Sequence, residues 1–387
     1  MAAFRGSDRH SSPAQESIQE TKIMDPNAIH AGVGKRKQGG AVDLTTSYLG
    51  FELTSPLIAG ASPLNLDFEA TRQMVEAGVG AIVLPSILQE QLIYRSLVRS
   101  NPETAIKQSG YAPQQDRYNG GPQEYLKTIQ RMKAEYSVPI VASLNAAITG
   151  SWLDYAVEIQ DSGADALELN WQSGRCDPSE TGENVELRLL EWVSQIRSRV
   201  TIPIAFKMNP RFTNPASTAL RLQNVGVNSL VLFAHHPHWD VDNYRMHWTI
   251  GWELTPIGTL GRTLEGLVET HTSGLHIPLA ASGGVRTGDD VIKTMFAGAD
   301  VAMAVSEIYR QGPSVIREMI AGLTRFLETN HHGTLKSFLQ SRPTADEHPS
   351  YTMRSEIVDP LTSSTNYHDP TPTPVQLKGD SFGHPSH

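Results

Sequence analysis

Cysteine is almost absent from this chain of 387 residues, which has one, Cys176. A single thiol excludes a disulfide framework within the chain and any all-cysteine zinc or iron–sulfur site, and no metal site is expected. Positive charge is also in short supply, with 32 Lys and Arg against 41 Asp and Glu, a formal net charge of −9. No basic stripe with interleaved aromatics is present, so a nucleic-acid partner is not expected. Long apolar runs are missing too. None approaches the roughly 20 residues that span a bilayer, and the opening MAAFRGSDRHSSPAQESIQE lacks the apolar segment of a secretory signal. A soluble, cytoplasmic protein without a membrane partner is the expectation.

Residues 1–40 and 331–387 are poor in apolar side chains and rich in Ser, Gln, Pro, Thr and charge. Such segments cannot offset the entropy of ordering, so both are expected to be largely disordered tails. Between them, residues 41–330 alternate short apolar runs with amphipathic stretches of helical length, the pattern of parallel strands joined by crossover helices. Strands are predicted at 57–61, 81–84, 139–143, 166–170, 204–208, 229–233, 277–281 and 301–305, and their near-continuous apolarity suits burial on both faces. One junction recurs as EAGVGAIVL, DSGADALEL, NVGVNSLVL and FAGADVAMA, where Gly78, Gly163, Gly226 and Gly298 suit left-handed helix ends. Helix starts are read at Asn214-Pro215, at Thr287 and at Gly312-Pro313. Eight consecutive units favour closure into a (β/α)8 TIM barrel. Ahead of the first strand, a short hairpin turning at Leu49-Gly50 is placed at the barrel floor.

Barrels of this kind carry their chemistry at the C-terminal ends of the strands. Two connections there, 85–120 and 234–260, are too long for plain turns and are candidate lid and pocket wall. After strand seven, AASGGVRTGDD offers the pair Gly283-Gly284, and after strand eight Val305 and Ser306 follow. Loops in these positions commonly bind phosphate through backbone N–H groups. Lys207 ends strand five, where it could hold an anion or reach water at the rim. Asn145 and Asn170 end strands three and four, and Gly60, Ala61 and Ser62 would let a flat ring lie close to strand one. His235, His236 and His238 follow strand six and are candidates for substrate contact or proton transfer, or for an ordinary turn. Trp239, Trp248 and Trp252 either cover a ligand or pack under the loop.

These residues, in this order, resemble the dihydroorotate dehydrogenase family. The similarity is carried by SPLIAGAS, PIVASL, GADALELN, IPIAFKMNP and, most specifically, AASGGVRTGDDVIKTMFAGADVAMAVSEIYRQGP. It implies an FMN-binding barrel in which Lys207 contacts the flavin, Asn170 lies beside flavin or substrate, and the Gly283-Gly284 and Val305-Ser306 loops hold the phosphate. It further implies an oxidoreductase that removes a hydride and a proton from adjacent carbons, with Ser173 at the base position and Cys176 as an alternative.

The substrate-reading half departs from that pattern. Only Asn119 aligns with the family's substrate loop, and Ala234-His235-His236 stands where the family has an orotate-reading pair. The resemblance therefore implies dihydroorotate or a related dihydropyrimidine or enone as substrate. A separate electron acceptor is required, and a homodimer is left open. Two other readings are a phosphate-binding barrel lyase or isomerase without flavin, and a catalytically silent flavin-binding protein.

Overall fold

A computed structural model of the chain describes residues 41–98, 101–112, 118–146, 152–171 and 177–343. All lie in the unit Ala41–His387. Ser173 and Cys176, and the tails 1–40 and 344–387, fall outside the described residues.

Eight parallel strands close into a barrel: β3 (Leu57–Ala59), β4 (Ala81–Leu88), β5 (Ile140–Ala146), β6 (Ala166–Trp171), β7 (Ile204–Met208), β8 (Ser229–Leu232), β11 (Leu279–Ser282) and β12 (Val301–Ala304). They coincide with the eight predicted strands, and β12 pairs with β3 to close the ring. Helices α1 (Phe68–Glu76), α4 (Gly121–Glu135), α5 (Trp152–Asp161), α6 (Gly182–Arg197), α7 (Pro215–Asn224), α8 (Leu260–His271), α9 (Gly288–Phe296) and α11 (Val315–Thr329) accompany them. Gly78, Gly163, Gly226 and Gly298 all have positive φ, between 91 and 126°. The repeated phrase is therefore one helix-ending device used four times.

Strand alternation sorts the side chains. Leu167, Leu169, Ile204 and Phe206 point outward into the layer packed under the helices. Ala166, Ala205, Val231, Ala280 and Val301 point inward and meet Tyr48, Leu49 and Leu53 of the N-terminal hairpin. That hairpin, β1 (Thr46–Tyr48) with β2 (Phe51–Leu53), turns at Leu49 and Gly50, both at positive φ, and stops the barrel floor as expected. Above the floor the register places Ser86, Ser143 and Glu168 in one row and Asn145, Asn170 and Lys207 in the next. A register shift in β4 between Val83 and Ser86 accompanies the lower row.

Of the three expected helix starts, two are as read. Asn214 caps α7 with Pro215 in its first turn, and Thr287 with Asp290 forms a capping box on α9. The third is corrected: α11 begins at Val315, so Gly312 and Pro313 lie in a preceding turn that ends a short helix, α10 (Ser306–Gln311). Described structure also runs past residue 330. A short helix, α12 (Leu335–Leu339), buries Leu335 and Phe338, and Thr334 bridges to Asp43. The long connections are folded as well. The first holds α2 (Gln89–Leu97) and α3 (Pro102–Ser109), and the second a two-stranded hairpin, β9 (His238–Asp242) with β10 (His247–Gly251).

Gly266 shows how closely α8 approaches the barrel: a Cβ there would lie 2.3 Å from the Phe233 ring. Overpacking of this kind costs about 1–3 kcal/mol, against the ~1 kcal/mol that Ala gains over Gly inside a helix. Gly266→Ala is accordingly expected to lower stability by up to about 2 kcal/mol, read as a falling urea midpoint. A variant that unfolds later than the wild type would show that the ring yields freely.

Candidate functional site

The C-terminal ends of the barrel strands open into a cavity of about 1510 Å³. A typical single-ligand site is roughly 300–1,000 Å³, so this one has room for two small molecules side by side. Of the residues singled out from the sequence, Ala61, Ser62, Asn145, Asn170, Lys207, His235 and His236 line it, as do Gly283, Gly284, Val305 and Ser306. Gly60 does not line the cavity. It is a close-packing point, where a Cβ would lie 2.7 Å from Val305 Cγ2.

Asn119 is also removed from the ligand-contacting set. It is fully buried, its amide donates to the Ser86 carbonyl and to Gln91, and its carbonyl accepts from the Gly121 N–H. It clamps the first long connection onto β4 and presents nothing to a ligand.

Lys207 is 8% exposed, which excludes a rim lysine reaching water. Its ammonium lies 3.2 Å from Glu168 Oε1, and Glu168 is 1% exposed. Glu168 sits in the row below, beside Ser143, whose hydroxyl is 2.7 Å from that of Ser86. Sequence reasoning passed over Glu168, although a carboxylate inside the apolar strand ALELNW was a visible signal, because burying an unpaired charge is costly. Its second oxygen, Asn170 Oδ1 and His236 Nε2 are buried without a hydrogen-bond partner among the described residues. Native proteins leave few such atoms, and the last two belong to residues that line the cavity.

On the far strands, Gly283 and Gly284 adopt φ of 108 and 81°, and a Cβ on Gly284 would lie 2.5 Å from Leu260 N. Neither N–H has an acceptor among the described residues. The Ser306 hydroxyl is already engaged, accepting from the Thr255 N–H at 2.9 Å and donating to its Oγ1 at 3.0 Å. Ser306 thus ties the second long connection to the barrel rather than standing ready as a spare donor. Arg286 and Arg310 flank these loops and share the buried carboxylate of Glu307, each at 3.2 Å. Burial pushes the Glu307 carboxyl up, but bonds from Gln311, Arg286 and Arg310 outweigh it and hold its pKa below the ordinary value. Two guanidiniums on one carboxylate leave a net positive charge where the glycine N–H groups point to an anion site. Neither arginine was singled out in the sequence, because its partner became evident only when β11 and β12 were seen side by side.

His235 Nε2 lies 2.8 Å from the Glu253 carbonyl. Burial, and then the charge of Arg211, depresses the His236 pKa; burial likewise depresses those of His235 and, on α8, His271. A depressed folded-state value means that below about pH 6.5 the unfolded chain binds protons that the folded chain refuses. Stability should therefore fall as pH falls from 7.5 towards 5.5, and less so in His236→Asn. Urea midpoints across that range check this, and parallel profiles for the two proteins would remove His236 from the account. Among the described residues no group of three His, Cys, Asp or Glu is placed to hold a metal ion. No described helix is long and apolar enough to cross a membrane.

No family model matches the chain. It is 20% identical over 269 residues to the NAD-dependent dihydropyrimidine dehydrogenase subunit PreA of Escherichia coli, covering 64% of each chain. It is 26% identical over 194 residues to the catalytic subunit of dihydroorotate dehydrogenase B (NAD(+)) of Methanothermobacter thermautotrophicus, covering 49% of this chain and 61% of that one. The subunit of the same name from Thermoplasma volcanium is 24% identical over 176 residues, covering 44% and 56%. In each case the chain spans less than two thirds of the relative's length. By its barrel and by these similarities, the chain is a remote, dihydroorotate dehydrogenase-like relative of these subunits.

Proposed function

We propose that the chain is an FMN-dependent oxidoreductase acting on a CH–CH bond of a dihydropyrimidine or related enone. The observation that carries this reading is a single cavity lined both by Gly283 and Gly284, with unpaired N–H groups, and by the buried cation of Lys207. The residues present fit the cofactor: the glycine loop, Val305, Arg286 and Arg310 suit its phosphate, and Lys207 with Asn145 and Asn170 suits the polar edge of its ring. When bound, FMN would supply the hydride acceptor.

The chain's own residues would do the rest. Glu168 fixes the Lys207 ammonium in place, so the charge is set before any ligand arrives. His236, kept neutral by burial, offers a ring nitrogen to a substrate carbonyl or N–H. Proton removal is assigned to Ser173, outside the described residues, on the resemblance alone. The relatives' names specify NAD, and here too the electrons would pass to a separate acceptor or subunit in the cytoplasm.

The test is the colour and the reactivity of the purified protein. An absorbance band near ~450 nm, as retained or added flavin gives, is expected, and anaerobic bleaching should follow addition of a dihydropyrimidine or dihydroorotate. Protein that stays colourless when offered FMN would point instead to a barrel lyase or isomerase. Coloured protein that no dihydro-substrate bleaches would leave a silent flavin carrier.

A further inference from the structure

The hairpin β9–β10 separates its side chains cleanly by face. Its register pairs Trp239 with Ile250 and Val241 with Trp248 on one face, and Asp240 with Thr249 and Asp242 with His247 on the other. The apolar face is the one left open: Trp239 is 65% exposed, Val241 57%, Trp248 76% and Ile250 54%. At the tip Tyr244 and Met246 are 95 and 85% exposed. The two strands pair only with each other among the described residues. A two-stranded hairpin is marginal in water unless one face packs against something, so an uncovered face of this composition calls for a partner.

We propose that this face is the interface between two copies of the chain, joined about a twofold axis. Three features favour a second copy. Trp239 and Trp248 occupy diagonal corners of the four-residue face, and the branched aliphatics Val241 and Ile250 occupy the other two. A twofold axis lying in the interface, parallel or perpendicular to the strands, lays each indole on an aliphatic of the partner. The patch is thereby complementary to itself, as an isologous contact requires.

The area is also sufficient. Three indoles, the Tyr244 ring, Met246 and the two aliphatics expose on the order of 800–1,000 Å², taking 150–250 Å² for a whole aromatic side chain. A standard interface buries about 800 Å² on each partner. Finally, Asp240 and Asp242 behind the face, on a chain of net charge −9, oppose adsorption to an anionic bilayer. The contact bears on the cavity, because β10 runs straight into Trp252, Glu253 and Thr255 of the cavity wall. The proposal stands independently of the flavin reading.

Sedimentation of the full-length chain at about 10 µM, where a micromolar interface is mostly formed, is expected to show twice the chain mass. Trp239→Ser with Trp248→Ser should shift it to the single-chain mass, whereas Asp240→Lys on the opposite face should not. In case the double variant misfolds, the wild type supplies a second readout: amide exchange across residues 238–251 should slow as concentration rises through the dimerisation range. A wild type of single-chain mass overturns the proposal, whether or not it floats with phosphatidylcholine vesicles. So does a dimer that survives the paired serines, or exchange across 238–251 that ignores concentration.

Discussion

Lys207→Met is expected to lower the stability of the folded chain by about 3–5 kcal/mol, the cost of stranding one member of a buried ion pair. The size follows from Glu168, which is 1% exposed and holds Lys207 as its charged partner at 3.2 Å. Its other oxygen already lacks a partner among the described residues, so removing the ammonium leaves the whole carboxylate without compensation. Adding Glu168→Gln should restore much of the loss, since a neutral amide beside a thioether carries no buried charge. Urea unfolding of the four proteins forms a double-mutant cycle with a large coupling energy, since the residues are in contact. A Lys207→Met protein that unfolds with the wild type, or a second substitution that deepens the loss, would sink this account. The double variant also separates two roles of Lys207. It should regain stability without regaining tight FMN binding.

Gly284→Ala should be nearly as damaging, and more selective. A left-handed conformation costs an L-residue about 1–2 kcal/mol, and overpacking adds about 1–3 kcal/mol. Both apply, because φ is +81° and the new Cβ meets the Leu260 backbone, 2.5 Å from its N and 2.6 Å from its Cα. Backbone atoms at the start of α8 cannot swing aside as a side chain would. The loop must move, and with it the N–H groups proposed to meet the phosphate. FMN affinity is expected to fall at least about tenfold, equivalent to 1.4 kcal/mol, with riboflavin, which lacks the phosphate, affected less. Equal losses for the two ligands, measured by fluorescence titration, would place the damage elsewhere than the phosphate.

The barrel was legible because its signals are local and repeated. Apolar runs of strand length mark β3 to β8, β11 and β12, and a glycine after four of the helices states where the chain turns back. The floor hairpin was equally plain, since Leu49-Gly50 sits between two short alternating runs. Residues whose meaning depends on a neighbour distant in sequence were not legible. Glu168 and Lys207 lie 39 positions apart and become a pair only when β6 and β7 align. Asn119 looked like a substrate amide until its partners, Gln91 and the Ser86 carbonyl, were brought round it. The second hairpin was misread for another reason. HWDVD and HWTIG do alternate, but an alternating strand normally hides its apolar side within its own chain, and here that side is open.

The stopper that Tyr48, Leu49 and Leu53 make beneath the barrel has a kinetic consequence. With that end shut, whatever enters from the strand tips leaves by the same doorway. A flavin seated deepest would then be the last to depart, and any smaller molecule lodged above it acts as a cork. Saturating product should lengthen the residence time of the deeper guest, so that its escape rate falls as the concentration of the shallower one rises.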